Sequence, residues 1–228
     1  MNFANTNVYN IGNAIRGMRN PKNSWHLSDS EGDVIGPKDM KLAQSLIRGG
    51  AVHCKFLRQI FVSVDITAPM YFWSELDTYK VGTTADSTSK MHKLENTPIT
   101  WDCFEHDDCT DDCLKLQVFD NEPYNPDDCI SDVWDNIIDV CETLRKRFLK
   151  TGDKRYWKEL IRILPESWLQ TRTWTANYEV LRGMYQWRQH HKLTEWDVKN
   201  EKSMCSWIES LPYARELILP QMTLKVED

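Results

Sequence analysis

The sequence predicts an α+β fold, a mixed sheet with several helices and one long central helix. Two observations lead there. The stretch Gln59 to Thr67 alternates with period two, Ile60, Val62, Val64 and Ile66 against Phe61, Ser63, Asp65 and Thr67, the pattern of a half-buried strand. Around it lie segments of helical periodicity, and strands and helices do not follow one another in βαβ order. The 228 residues suffice for a real core and are expected to form a single domain over residues 1–228.

Taken in order, the chain opens with an extended entry and a helix around Asn13 to Met18. Arg19 to Lys38 is rich in Asn, Ser, Asp, Gly and Pro and reads as a loop excursion. A helix near Asp39 to Arg48 is stopped by Gly49 and Gly50. After the strand, Ala68-Pro69 leads into a helix carrying Tyr71, Phe72, Trp73, Leu76 and Tyr79 and reaching Lys80. VGTTADSTSK reads as a hydroxyl-rich loop, either a connector or a place where N–H and O–H groups meet an anion. Leu94 to Asp128 is acidic and loop-rich, with one strand suggested at Leu114 to Phe119.

The long helix spans about Asp128 to Lys150. Ile130, Val133, Trp134, Ile137, Cys141, Leu144 and Phe148 share one face, and Gly152 stops it. A shorter helix, Arg155 to Ile163, precedes Leu164-Pro165. WLQTRTWTAN then leads into a helix from Tyr178 to His190, and two short helices follow, Met204 to Leu211 and Tyr213 to Leu217.

Composition narrows the function. The net charge of −6 argues against a broad nucleic-acid surface, so any phosphate must be held by a local basic cluster. No apolar run is long enough to cross a membrane, and the first residues lack the charged start and apolar centre of a secretion signal, so a cytoplasmic location is expected. The seven cysteines are then expected to be reduced thiols. Cys103, His106, Cys109 and Cys113 crowd one acidic segment, but their spacing lacks the paired C-x-x-C of common zinc sites, and no metal is expected.

The helix after Thr175 carries the sharpest local signal. Asn177, Leu181, Met184 and Arg188 fall on one face. A charge ending an apolar stripe needs a partner. Asn177 and Arg188 lie roughly 16 Å apart at ~1.5 Å per residue, enough for two parts of an extended ligand site. A structural Arg–carboxylate pair accounts for the same residues.

Two blocks resemble the flavin-dependent thymidylate synthases. In the segment from His53 to Leu94, His53, Ala68, Pro69, Gly82 and Leu94 fall without a gap where that family has the same residues. In LPESWLQTRTWTANYEVLRGMYQWR, Leu164, Pro165, Trp174, Thr175, Asn177 and Arg188 keep step with it. The departures are equally specific. Thr78-Tyr79-Lys80 stands where the family has Arg-His-Arg, Thr83 for Ser, Ala85-Asp86 for Asn-Glu, Thr88 for Ser and Lys90-Met91 for Arg-Tyr. Glu75 replaces a glutamine, Glu179 an arginine near the flavin, and Arg162 lies one residue out of register with a nucleotide-binding arginine.

The resemblance implies reductive methylation of dUMP to dTMP with methylenetetrahydrofolate, FAD and NADPH. It implies Arg188 as the catalytic residue that stabilises charge on the pyrimidine. Glu75, Asp86, Thr88, Ser89, Lys90 and Arg162 would bind the nucleotide, and His53, Thr78, Tyr79, Lys80 and Asn177 would face the flavin. It also implies a homotetramer. Lys in place of Arg neutralises phosphate but lacks the planar two-bond fork, so the phosphate sites are expected to be weaker. A nucleotide-binding relative without methyl transfer, and an enzyme making another pyrimidine modification, are the alternatives on the same scaffold.

Overall fold

The computed structural model describes residues 1–106, 114, 115, 123 and 129–219. These contain a four-stranded sheet of order β1-β2-β4-β3, with β1 at Asn2–Tyr9, β2 at Phe61–Pro69, β3 at Thr84–Ser87 and β4 at Leu169–Asn177. The nine α-helices among the described residues are α1 (Ile11–Gly17), α2 (Pro37–Arg48), α3 (Met70–Leu76), α4 (Lys90–Asn96), α5 (Ile130–Thr151), α6 (Lys154–Ile163), α7 (Tyr178–Arg188), α8 (Met204–Glu209) and α9 (Ala214–Leu217). The α+β expectation holds.

The chain gathers into two compact units, one of residues 1–67, 75–86 and 172–228, the other of residues 68–74 and 87–171. In the first unit, β1 pairs antiparallel with β2, Tyr9 opposite Phe61 and Phe3 opposite Ile66. The alternation read from the sequence is real: Val62, Val64 and Ile66 are buried while Ser63, Asp65 and Thr67 stay partly exposed. Asp65 on the polar face accepts from Asn5 (2.7 Å) and Thr173 (2.6 Å). α7 lays Tyr178, Leu181, Met184 and Tyr185 into the core.

The second unit is built on an aromatic cluster. Leu94, Ile99, Phe104, Ile138, Cys141, Leu160 and Trp168 are buried there, and Trp101, Trp134 and Trp157 pack against them. α5 is the long helix, ended by Gly152 at φ 67°. Its buried Arg145 is held by Glu142 (2.7 and 2.9 Å) and the Glu95 carbonyl (3.2 Å).

Several elements differ from expectation. α3 stops at Leu76 and does not reach Tyr79 or Lys80. The Thr78 hydroxyl donates to the Glu75 carbonyl (2.7 Å), a local bond that competes with helical continuation. VGTTADSTSK is not all loop: Thr84–Ser87 forms β3, and Ser89 caps α4 by accepting from His92 N. WLQTRTWTAN supplies β4, in which Gln170, Trp174 and Ala176 are buried and Thr173 and Thr175 exposed. The excursion after α1 contains two 3-10 turns, Asn20–Lys22 and Trp25–Leu27.

The strand suggested at Leu114 to Phe119 lies outside the described residues except for Leu114, whose carbonyl accepts from Ile130 N (2.9 Å), and Lys115, which bridges to Cys129. Cys109 and Cys113 lie outside them too. Cys103 donates to the Pro98 carbonyl (3.6 Å) and His106 Nδ1 lies 2.9 Å from the Phe104 carbonyl, so each has a protein partner. Cys54, Cys103, Cys141 and Cys205 are free thiols, whereas Cys129 is in a disulfide, which corrects the expectation of reduced cysteines throughout.

Candidate functional site

Within the first unit the structure brings Arg188, Glu75 and Tyr79 together. Helix α7 sets Arg188 at its last residue, the last turn of α3 presents Glu75, and the turn after it presents Tyr79. Arg188 Nη1 lies 2.8 Å from Glu75 Oε2 and Nε donates to the Tyr79 hydroxyl (3.2 Å). His191 Nε2 stands 2.9 Å from Nη1. The guanidinium lies over Trp196, 5.0 Å from the ring centroid, and over Tyr79 at 5.9 Å. Stacking on aromatic faces holds a guanidinium flat without consuming its donors. Nη2 bonds to nothing among the described residues, and the side chain is 21% exposed, so one edge of a positioned cation remains open. The carboxylate partner that the sequence required of Arg188 is Glu75, and the arginine side chain stays partly exposed.

The polar start of α7 is the second feature of this unit. Asn177 is buried, and its Oδ1 caps the helix by accepting from Val180 N (3.1 Å). Its Nδ2 has no hydrogen-bond partner among the described residues and faces Gly82. A Cβ at Gly82 would come within 2.7 Å of that nitrogen, and φ there is 77°, so glycine is required twice over. Glu179, at a position where the resemblance has an arginine, is tied to Arg58. Burial, and then the Glu179 carboxylate, push the Cys54 thiol up.

His53 is exposed and lines a cleft of about 740 Å³ that also carries Leu42, Leu46, Val52, Lys55 and Phe56. Thr78, Lys80 and Asp86 are exposed. Thr83, between them, donates to the Tyr79 carbonyl.

The second unit holds the other named residues. Thr88 N and Oγ1 both donate to the Thr171 carbonyl (2.9 and 3.1 Å), and Gln170 Nε2 donates to the Thr88 carbonyl (2.8 Å). This fixes Thr88, Ser89 and the partly buried Lys90 at the mouth of α4. Arg162 is not with them: it is exposed on α6 and paired with Glu159 one turn back.

The residues that sequence reasoning missed are Trp196 and His191. Both follow α7 at irregular spacing, so no periodic signal marks them; only the requirement that Arg188 have partners pointed to this neighbourhood.

No sequence-family profile matches the chain, and no curated protein matches it in sequence. Its structure is similar to solved ones. The flavin-dependent thymidylate synthase ThyX of Helicobacter pylori, solved with FAD and dUMP, aligns with a TM-score of 0.64 at 16% identity over 96% of this chain and 98% of that one. The UMP/dUMP methylase PolB of Streptomyces cacaoi, solved with 5-Br UMP, aligns with a TM-score of 0.58 at 14% identity over 96% and 91%. The chain therefore has the thymidylate synthase X fold, as the two motif blocks implied.

Proposed function

We propose that this chain is a flavin-dependent enzyme that methylates a pyrimidine nucleotide, dUMP to dTMP, with methylenetetrahydrofolate as carbon donor and NADPH as reductant. The observation that carries the reading is the end-to-end likeness of fold to a thymidylate synthase solved with FAD and dUMP, in a chain that keeps Asn177 and Arg188 at the two ends of one helix.

The residues present are compatible with a flavin. The cleft that carries His53 is wide and largely apolar, Lys80 is an exposed cation, Asn177 Nδ2 has no partner among the described residues, and the Glu179 carboxylate is neutralised by Arg58. His53, Thr78, Tyr79, Lys80 and Asn177 would hold FAD, and the chemistry supplied there is hydride donation to the transferred carbon. The protein's own contribution is positional and electrostatic. Arg188, lying over Trp196 and Tyr79, would offer Nη2 to a pyrimidine carbonyl oxygen as negative charge grows on it. Glu75 orients that guanidinium. Thr88 and Ser89 hydroxyls and the Lys90 ammonium would hold the nucleotide phosphate, with Asp86 and Arg162 as flanking polar groups. A homotetramer belongs to the same reading.

Incubation with labelled dUMP, methylenetetrahydrofolate, NADPH and FAD is expected to yield dTMP. The ion pair of Arg188 with Glu75 favours a second reading, a nucleotide-binding relative that has lost methyl transfer. It would bind dUMP and form no product. A third, another pyrimidine modification, would consume dUMP and give a product other than dTMP. No binding and no turnover would leave the fold assignment alone standing.

A further inference from the structure

The excursion between α1 and α2 is far more ordered than its composition suggests. Buried Asp39 gathers it. Asp39 accepts from Arg19 Nε (2.5 Å), the Ser28 and Ser30 hydroxyls (2.6 Å each) and Asp29 N (3.3 Å). Asp29 in turn caps α2, accepting from Lys38 N (2.8 Å) and Asp39 N (3.0 Å). Glu31 and Val34 exchange two backbone bonds (3.0 and 2.9 Å). The tip is locked to α1: Gly12 N donates to Asp33 Oδ1 (2.8 Å), and a Cβ at Gly12 would lie 2.3 Å from the Gly32 carbonyl oxygen.

Between this loop and α1 lies a cleft of about 400 Å³, lined among others by Asn10, Asn13, Arg16, Trp25, Ser30 and Asp33. That volume is within the range of small-ligand sites. The Trp25 indole is 42% exposed, and its N–H is pinned to Asn20 Oδ1 (2.8 Å), so the ring is both open and fixed. The Arg16 guanidinium lies over it, 5.8 Å from the centroid, and forms no ion pair among the described residues. Arg19, also in the wall, is spent on Asp39. Long structured loops often carry binding function, and this one presents an open aromatic face beside a cation with no ion-pair partner among the described residues.

We propose that this cleft is a second binding site, separate from the residues assigned to the flavin and the pyrimidine nucleotide, for a small ligand bearing an anionic group on a planar aromatic body. Arg16 pairs with the anion and Trp25 packs against the ring. A nucleoside monophosphate and an aromatic carboxylate share this chemistry.

Calorimetric titration of the full chain tests it, with AMP and benzoate as probes and adenosine, benzyl alcohol and inorganic phosphate as controls. The expected result is binding of AMP or benzoate that is at least tenfold tighter than each of the three controls, and which of the two binds identifies the source. Arg16→Gln is expected to weaken that binding tenfold or more, Trp25→Ala likewise, and Trp25→Phe much less. Gly12→Ala, which forces the loop off α1, is expected to abolish it. Should Trp25→Ala or Gly12→Ala fail to fold, Arg16→Gln, an exposed change, decides alone. Absence of binding by either probe, or binding unchanged in Arg16→Gln, would overturn the proposal. Because none of these substitutions touches His53, Asn177 or Arg188, loss here with dUMP binding intact separates this site from the nucleotide site.

Discussion

Two arginine–carboxylate pairs in the same unit show what separates scaffold from site. Arg19 and Asp39 are 6% and 0% exposed, and both oxygens of Asp39 accept bonds, Oδ1 from the guanidinium and Oδ2 from Ser28, Ser30 and Asp29 N. Arg188 and Glu75 are 21% and 33% exposed, and Arg188 Nη2 has no bond among the described residues while the guanidinium lies over Trp196 and Tyr79. A saturated buried pair leaves nothing for a ligand and penalises any loss of a partner. An unsaturated, positioned pair costs little to the fold and has an open edge to offer.

The largest expected effect falls on the scaffold pair. Asp39→Ala leaves a buried guanidinium without its carboxylate and releases the 28–30 loop. The expected cost is about 3–5 kcal/mol in urea unfolding, with Asp39→Asn milder. A cost below about 1 kcal/mol would erase the contrast. At the other pair the order reverses. Arg188→Ala is expected to cost less than about 1 kcal/mol of stability, since the pair is partly exposed. The same change is expected to lower turnover about 100-fold or more, as loss of a charge-stabilising donor does. Steady-state kinetics and unfolding of one preparation check both halves.

Glu75→Gln sharpens the comparison further. It keeps an acceptor for Arg188 and removes the competing charge. The expected result is dUMP binding about threefold to tenfold tighter by titration, with stability nearly unchanged. Weaker binding would mean that Glu75 itself contacts the nucleotide through its charge.

The smallest effect is a pH slope. Burial pushes the Asp39 carboxyl up, but the hydrogen bonds from Ser28, Ser30 and Arg19 and the Arg19 charge outweigh it and hold the group below its ordinary value of 3.8. A carboxylate depressed in the folded state stabilises above its unfolded pKa. That contribution is lost as pH falls through the folded value, so the loss begins near pH 4 and deepens below it. Urea midpoints measured from pH 6 to pH 2.5 should fall more steeply for the native chain than for Asp39→Asn.

Much of this was legible in the sequence, and the misses have physical causes. β2 was legible because each inward residue from Ile60 to Ile66 is aliphatic. β4 was not, because its buried Gln170 is polar and its outer residues are mostly threonines, which dilutes the period. β3 carries no burial signal at all: Thr84 to Ser87 are exposed, and pairing alone defines the strand. α3 was overextended because Tyr79 continues the apolar spacing past the point where Thr78 ends the helix. At the site, Arg188 and Asn177 could be found from one helical face, and Glu75 from the resemblance. Trp196 and His191 could not, since they meet Arg188 through a loop whose path no local pattern encodes. The Asp39 network was equally hidden, because its donors come from 9 to 20 residues upstream.

The central claim is that the open edge of Arg188 serves a pyrimidine nucleotide beside a flavin. The most direct measurement is the visible absorption spectrum of the purified protein with FAD, before and after dUMP, for the native chain and Arg188→Ala. The account predicts flavin bands that survive desalting and shift on adding dUMP in the native chain, and retained bands with no shift in the variant. Failure of the native chain to hold flavin, or an identical shift in both proteins, would contradict it.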